Sequence, residues 1–348
     1  MSPDIHPISL PEAINQVIAH QHLDAAQMTA VMRTIMTGGA TDAQIGGFLI
    51  GLRMKGETVT EITAAASVMR DLATGVDISG LNHTVDIVGT GGDASGTFNI
   101  STASTFVAAA AGCHVAKHGN RAVSSRSGSA DVLEAAGVNL QITAEQVAAC
   151  VRTTGVGFMF APGHHSAMKH AIGPRKQMAA RTVFNLLGPL TNPAGVPNLL
   201  LGVYDQAWLK PLANVLQRLG AAHVMVVCAE DGLDEISISG PTQVAELHQG
   251  TIRQYQLDPV EFGLNLAPLS SIQAEDADQS LAMIQAVLAG ESSPASDIVA
   301  LNAGAAIYVA GITDTLEAGI ARAQSILGDG TALTRLQQLT RMTQGFLT

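Results

Sequence analysis

The chain has 348 residues, 47% of them hydrophobic but only 3% aromatic, and carries a formal net charge of −11. That length allows a large core and two domains, and an aromatic-poor composition rich in alanine and glycine suits close-packed helices on a parallel sheet better than a β-sandwich. The acidic balance argues against a general nucleic-acid binder or a binder of anionic membranes.

The first 75 residues hold helix-start signals in series. Ser9/Glu12, Asp24/Gln27, Thr41/Gln44 and Thr58/Glu61 each place a capping oxygen three residues before a Glu or Gln. Apolar residues follow at helical spacing, as with Ile45, Phe48, Leu49 and Leu52. This predicts a small all-helical domain of about four helices over residues 1–78, whose leftover apolar faces suit a second copy of the chain.

From about residue 83 short β-branched runs alternate with helical stretches. Strands are expected at 84–88, 113–117, 156–160, 199–204 and 223–228, with helices at 101–111, 130–136, 144–153 and 206–219. This alternation implies a central, mainly parallel sheet wrapped by helices, an α/β domain over residues 79–348. The stretch 165–190 is helical and is expected to fold back onto the N-terminal helices. Residues 236–268 look like a strand-rich insertion or edge, and helices at 276–289, 296–311, 314–327 and 331–343 close the chain.

Cys113, Cys150 and Cys228 are odd in number and far apart, so neither a disulfide framework nor a zinc site is indicated, and Cys113 and Cys228 read as core filler. Asp4 and His6 interrupt any apolar leader, and stretches such as 298–312 are too short and glycine-broken to span a bilayer. A cytoplasmic protein is expected.

The chemistry concentrates at the expected strand ends, where open α/β sheets collect their ligands. The run Val85 to Val88 stops at Gly89-Thr90-Gly91-Gly92-Asp93, and Thr97, Asn99, Ser101 and Thr102 follow at the start of an alanine-rich helix. Glycines admit backbone N–H groups close to an anion, and a helix start adds unpaired donors, so this stretch can cradle a phosphate. It matches neither Gly-x-Gly-x-x-Gly nor the P-loop pattern. A plain turn is the competing reading.

Charge supports the cradle. Between Ala94 and Tyr204 the acidic residues are Asp131, Glu134 and Glu145, against Lys117, Arg121, Arg126, Arg152, Lys169, Arg175, Lys176 and Arg181. The segment 117–129 combines cations, serines and glycines directly after a strand and leads into a helix start at Ser129, as a second phosphate wall would. Asp234 and Glu235, in a glycine-containing turn after the strand 223–228, can offer hard oxygens to Mg²⁺, with Ser101 able to add another. His165 and Arg175 can line a pocket for a small organic anion, Arg175 pairing with its carboxylate; a solvated helix face is the alternative. His114, inside a strand, reads as structural. No Ser-His-Asp set or activated cysteine is evident, so covalent catalysis is not indicated.

Six ordered motifs carry a resemblance. Gly-Thr-Gly-Gly-Asp (89–93), Asn-Ile-Ser-Thr (99–102), Lys-His-Gly-Asn (117–120), Ser-Gly-Ser-Ala-Asp-Val-Leu-Glu (127–134), Arg-Thr-Val-Phe-Asn-Leu-Leu-Gly-Pro-Leu-Thr-Asn-Pro (181–193) and Asp-Gly-Leu-Asp-Glu (231–235) resemble those of the anthranilate phosphoribosyltransferases of tryptophan biosynthesis. The likeness is collinear over nearly the whole chain; Met178-Ala179-Ala180, where a Leu-Gly pair is expected, is one small departure. It implies a helical domain plus a nucleoside-phosphorylase-like α/β domain, usually dimeric, and transfer of a phosphoribosyl group from phosphoribosyl diphosphate to the amine of anthranilate. By the same resemblance, Gly89, Gly92, Asp93, Thr97, Asn99, Ile100, Ser101, Thr102, Lys117, His118, Gly119, Asn120, Arg121, Ala122, Val123, Ser124, Ser125 and Ser129 are expected to hold phosphoribosyl diphosphate. Gly89, Asn120, His165 and Arg175 are expected to receive anthranilate, with His118 and Pro189 near its path. Ser101, Asp234 and Glu235 are expected to bind two Mg²⁺ ions, and Lys117, Asp234 and Glu235 to carry the catalysis. Anthranilate's amine is unprotonated at neutral pH, so no strong general base is required. A pyrimidine nucleoside phosphorylase and a non-catalytic, nucleic-acid-binding relative are the alternatives; the first has a different glycine-rich signature, and the second should be basic.

Overall fold

The computed structural model describes residues 8–93, 95–122 and 126–347. The chain begins with four helices, α1 (Leu10–Ile18), α2 (Ala25–Met36), α3 (Asp42–Lys55) and α4 (Val59–Asp71). All four expected caps form: Ser9, Asp24, Thr41 and Thr58 each accept the N–H three residues on, and Glu12, Gln27, Gln44 and Glu61 return the bond. Each reciprocal cap satisfies two otherwise orphaned backbone donors and stabilises its helix by about 1 kcal/mol.

The remaining elements are β1 (Thr84–Gly89), α5 (Ile100–Ala110), β2 (His114–Gly119), α6 (Ser129–Ala135), α7 (Ala144–Thr154), β3 (Val156–Phe160), α8 (Ala161–His164), α9 (Lys169–Met178), α10 (Val183–Leu187), β4 (Asn198–Gly202), α11 (Leu209–Arg218), β5 (His223–Ala229), β6 (Thr242–His248), β7 (Thr251–Leu257), α12 (Ala277–Leu288), α13 (Pro294–Val309), α14 (Leu316–Asp329) and α15 (Thr331–Gly345). Seven strands form one sheet in the order β3-β2-β1-β4-β5-β6-β7. The first five run parallel, while β6 and β7 add antiparallel at one edge. This edge hairpin is the strand-rich segment expected between 236 and 268.

Side chains alternate across the sheet, so each central strand feeds two cores. Val85, Ile87, Leu200, Met225 and Val227 pack with residues of α5 and α13, whereas Leu199, Leu201, Val224 and Val226 join the core of the N-terminal helices. The helical layer thus shares a hydrophobic core with one sheet face. α9 packs on α2 and α3, and Arg53 Nη1 donates to the Arg181 carbonyl at 2.8 Å, which draws the 165–190 stretch onto these helices. Cys113, Cys150 and Cys228 are buried, and burial pushes the Cys113 thiol up to about 12. His114 Nδ1 bonds the Asn82 carbonyl at 2.8 Å, a structural contact.

The ends of β1 and β4 contain a notch. Gly89 and Gly202 are register partners, and a Cβ on Gly202 would overlap the Asp234 carbonyl oxygen while one on Gly89 would overlap the Asp234 carboxylate. Backbone atoms cannot retreat as a flexible side-chain tip can. Gly202→Ala is expected to destabilise the protein by about 1–3 kcal/mol through this overpacking. Gly240→Ala, whose added Cβ meets nothing within 4 Å, should stay within about 0.5 kcal/mol of the parent. Urea unfolding of both variants measures the difference, and equal stabilities would contradict the notch.

Candidate active site

The carboxyl ends of β1, β2 and β5 open on one side of the sheet. After β1, Gly91 and Gly92 take φ of 67° and 80°, the left-handed region where glycine carries no Cβ penalty. The Gly91 N–H donates to Asp234 Oδ2 at 2.7 Å, and Arg181 Nη2 donates to the Gly92 carbonyl. The Arg181 guanidinium lies 4.0 Å above the Tyr204 ring. The loop is therefore clamped between the β5 turn and the segment before α10.

Asp93, Asp234 and Glu235 gather beside this loop. Burial pushes the Asp234 carboxyl up to about 7, and neighbouring Asp93 adds to the shift. Burial and the adjacent Asp234 carry Glu235 to about 8. Ser101, in the first turn of α5, donates its hydroxyl to Glu235 Oε1. The Lys117 ammonium is buried and donates to the Ile87 carbonyl, with Asp86, Glu235 and Asp234 as its charged neighbours. Carboxylates held this closely without matching cations favour uptake of protons or of a cation.

A second cluster lies under the strand ends. Asp86 Oδ2 faces His118 Nδ1 at 2.5 Å and accepts from Asn192 Nδ2 at 2.7 Å. Burial alone would raise this carboxyl, but His118, Lys117 and Asn192 outweigh it and hold Asp86 below the usual range. His118 Nε2 is 2.8 Å from the Gly188 carbonyl, so both its ring nitrogens are engaged. His165 is 8% exposed and its Nε2 has no hydrogen-bond partner among the described residues. Burial, then His118 and His164, push His165 down to about 4, so the imidazole is neutral near pH 7. The Arg175 guanidinium sits 5.1 Å over the Phe184 ring, with no ion pair among the described residues. Arg175 and the His165 imidazole thus flank the segment 183–191; the Thr191 backbone bonds the imidazole, and its Nε2 is left open among the described residues.

The other expected residues have definite partners. Asn99 Oδ1 accepts from Ser127 and Ser280, both at 2.8 Å, which ties the α5 start to the 126–129 segment. Thr97 bridges to Gln273, and Ile100 and Thr102 are buried. Gly119 packs so tightly on Ser129 that a Cβ would overlap the Ser129 hydroxyl. Asn120 accepts the Arg121 N–H at 2.8 Å, and the Ala122 N–H donates to Asp131 at 2.9 Å. Arg121 pairs with Glu134 and lies 5.4 Å from the Phe160 ring centre, bracing the start of α6. Val123, Ser124 and Ser125 lie outside the described residues.

Thr90, Arg181, Thr182 and Asn192 are absent from the expected set although the motifs include them, and so is Asp86, in the run just before the first motif. A lone aspartate inside a β-branched run was the visible signal for Asp86. The Thr90 hydroxyl is buried without a partner among the described residues, as a group awaiting a ligand is.

Comparison with known proteins agrees with this geometry. Residues 11–73 match the glycosyl transferase family helical bundle domain, and residues 81–333 match the glycosyl transferase family a/b domain. Anthranilate phosphoribosyltransferase of Thioalkalivibrio sulfidiphilus is 60% identical over 97% of this chain and 99% of that protein, and that of Marinomonas sp. is 58% identical over 98% and 99%. The crystal structure of the Thermus thermophilus enzyme superposes with a TM-score of 0.90 at 42% identity, covering 95% of this chain and 99% of that one. The Saccharomyces cerevisiae enzyme in complex with phosphoribosyl diphosphate (PRPP) and Mg superposes at 0.88 with 26% identity, covering 97% and 98%. Full-length identity of this order, on a chain with the same two-layer fold, sets aside a nucleoside phosphorylase and a non-catalytic relative. The chain belongs to the anthranilate phosphoribosyltransferase family, enzymes of tryptophan biosynthesis.

Proposed function

We propose that the two clusters divide the reaction between them. The glycine loop, the α5 start and the 117–129 segment take the phosphoribosyl diphosphate, and the pocket beside 183–191 takes anthranilate. The observation that carries this reading is the coexistence of an unpaired Arg175 and a partnerless His165 Nε2 on one side with uncompensated carboxylates on the other. Arg175 suits the anthranilate carboxylate, and Phe184 beneath it suits an aromatic ring.

The amine nitrogen forms a bond to C1 of the ribose as the bond from C1 to the diphosphate oxygen breaks. The diphosphate leaves with the electron pair, and the nitrogen loses a proton to solvent. Positive charge grows on the ribose, so the protein's part is orientation and electrostatic support. His165, already neutral, can hold the amine by a hydrogen bond without competing for its proton.

The acidic group fits Mg²⁺. Asp234, Glu235 and the Ser101 hydroxyl supply hard oxygens, and both carboxyls are raised as carboxyls lacking a cation should be. Asp93, Asp234 and Glu235 do not converge as a closed set within 4.8 Å, a spacing that leaves substrate oxygens to complete the shell. Two ions per site are consistent with three carboxylates facing a diphosphate. Bound Mg²⁺ would neutralise charge on the departing diphosphate. Lys117, buried among Asp86, Asp234 and Glu235, acts on that charge chiefly by setting how firmly the carboxylates hold the metal. Exposed Ile18 and Met54, 62% and 74% accessible on α1 and α3, support a homodimer through the helical layer.

The direct test is the loss of anthranilate fluorescence with phosphoribosyl diphosphate and Mg²⁺; turnover must vanish when either is omitted. Arg175→Ala should raise the KM for anthranilate at least tenfold while leaving that for phosphoribosyl diphosphate within about twofold; equal effects on both would sink the pocket assignment. A third expectation concerns pH. Raised carboxyl pKa values mean that the folded protein keeps protons the unfolded chain has released, so their stabilising contribution is full below about pH 4 and disappears as pH rises through 7 to 8. In chelator, Tm should fall across that window, and Mg²⁺ or the double change Asp234→Asn, Glu235→Gln should flatten the fall. A Tm profile unaffected by either would refute the metal assignment.

A further inference from the structure

At the end of the sheet opposite the candidate active site, three potential ligands share one face of two paired strands. His223 opens β5, and its register partner is His248, the last residue of β6; Glu246 lies two residues before His248. Residues i and i+2 of a strand point to the same side, and a cross-strand partner points there too. Antiparallel pairing therefore brings the three side chains together with no loop to position them. Among the described residues this is the one group of three His, Cys, Asp or Glu whose ligand atoms all lie within 4.8 Å.

We propose that His223, Glu246 and His248 form a binding site for a borderline divalent transition metal, with Zn²⁺ the best fit. Two imidazoles and one carboxylate are a zinc donor set, and they suit neither Mg²⁺ nor Ca²⁺, which take oxygen. His223 Nε2 is 2.8 Å from Glu246 Oε1, and the two imidazoles stack with centroids 4.1 Å apart. Tetrahedral zinc with bonds of about 2.0–2.1 Å separates its ligand atoms by about 3.3 Å, so the His223–Glu246 pair needs to open by only about half an ångström.

The surroundings are built as an outer shell. Tyr308 on α13 donates to Glu246 Oε1 and Tyr255 on β7 to Glu246 Oε2, each at 2.9 Å, and the Tyr308 ring meets His223 edge-on at 4.7 Å. Such hydrogen bonds hold a ligating carboxylate in one orientation. His223 and Glu246 are 7% and 9% exposed, while His248 is open to solvent, which gives an entry path and leaves a fourth position for water. The ion would join β5, β6, β7 and α13 at the antiparallel edge. It lies at the start of β5, whereas the Asp234 turn packs on Gly202, the register partner of Val227 four residues (about 13 Å) further along the strand, so the two sites share no residue.

The test titrates ZnCl₂ into the tag-free, full-length chain by calorimetry, with excess Mg²⁺ present to occupy the carboxylates. One saturable equivalent is expected, and His248→Ala, an exposed change that should not disturb folding, should weaken it at least tenfold. The double variant Asp234→Asn, Glu235→Gln should bind Zn²⁺ as the parent does. Co²⁺ in place of Zn²⁺ should show the intense visible absorption of a tetrahedral ion, lost in His248→Ala. Absence of saturable binding would overturn the proposal, as would equal affinity in His248→Ala or loss of binding in the double variant.

Discussion

The site rests on the absence of two side chains. Gly89 and Gly202 stand opposite each other at the ends of adjacent parallel strands, and Asp234 occupies the space that any side chains there would fill. That single intrusion sets the depth of the acidic turn relative to the glycine loop. It lets the Gly91 N–H reach the Asp234 carboxylate, and it brings Glu235 to the hydroxyl of Ser101 at the start of α5. Were β4 to end one residue differently, the alternation of the pleat would place a leucine where Gly202 is, and the turn would be forced outward. Strand register therefore determines where a cation can sit.

A second constraint opposes the first. Gathering Asp93, Asp234 and Glu235 concentrates negative charge, and the fold answers with one buried ammonium, Lys117, which also faces Asp86. Asp86 in turn is held ionised by His118 and Asn192. Its network joins β1, β2 and the segment that follows α10, the helix that carries Phe184 under Arg175. The two proposed substrate regions thus share a buried electrostatic base. A change at Asp86 would disturb both, because it would leave Lys117 and His118 without their common partner.

Much of this was legible in the sequence wherever the determinant was local. The four capping boxes needed only residues three apart, and the strand and helix alternation only a short window. Motif by motif, the glycine loop, the 117–129 segment and the Asp234-Glu235 turn were placed at strand ends because parallel sheets put ligands there. Hidden from the sequence were the partnerships across strands. Arg121, grouped with the phosphate binders as a free cation, also braces Glu134 thirteen residues later. Asp86 looked like an oddity in a strand until Asn192, more than a hundred residues away, supplied its amide. Arg181 likewise reached Gly92 only through the folding of α9 and α10 onto the helical layer.

The sheet's mixed topology explains why chemistry collects at both of its ends. Five parallel strands send every carboxyl terminus to one side, and the loops proposed to hold the substrates crowd there. At β6 the chain reverses, so the end of that strand returns to the side the parallel strands leave plain. His223, at the start of β5, thereby meets Glu246 and His248 at the end of β6, an encounter that a purely parallel sheet cannot make between consecutive strands. The tyrosines that hold Glu246 there come from β7 and α13, so the polar side chains of that corner serve the edge itself. A short hairpin at an open sheet edge has few neighbours to hold its register. A hydrogen-bonded cluster that ties β5, β6, β7 and α13 through Glu246 supplies that hold, and an ion seated among the same ligands would strengthen the tie already in place.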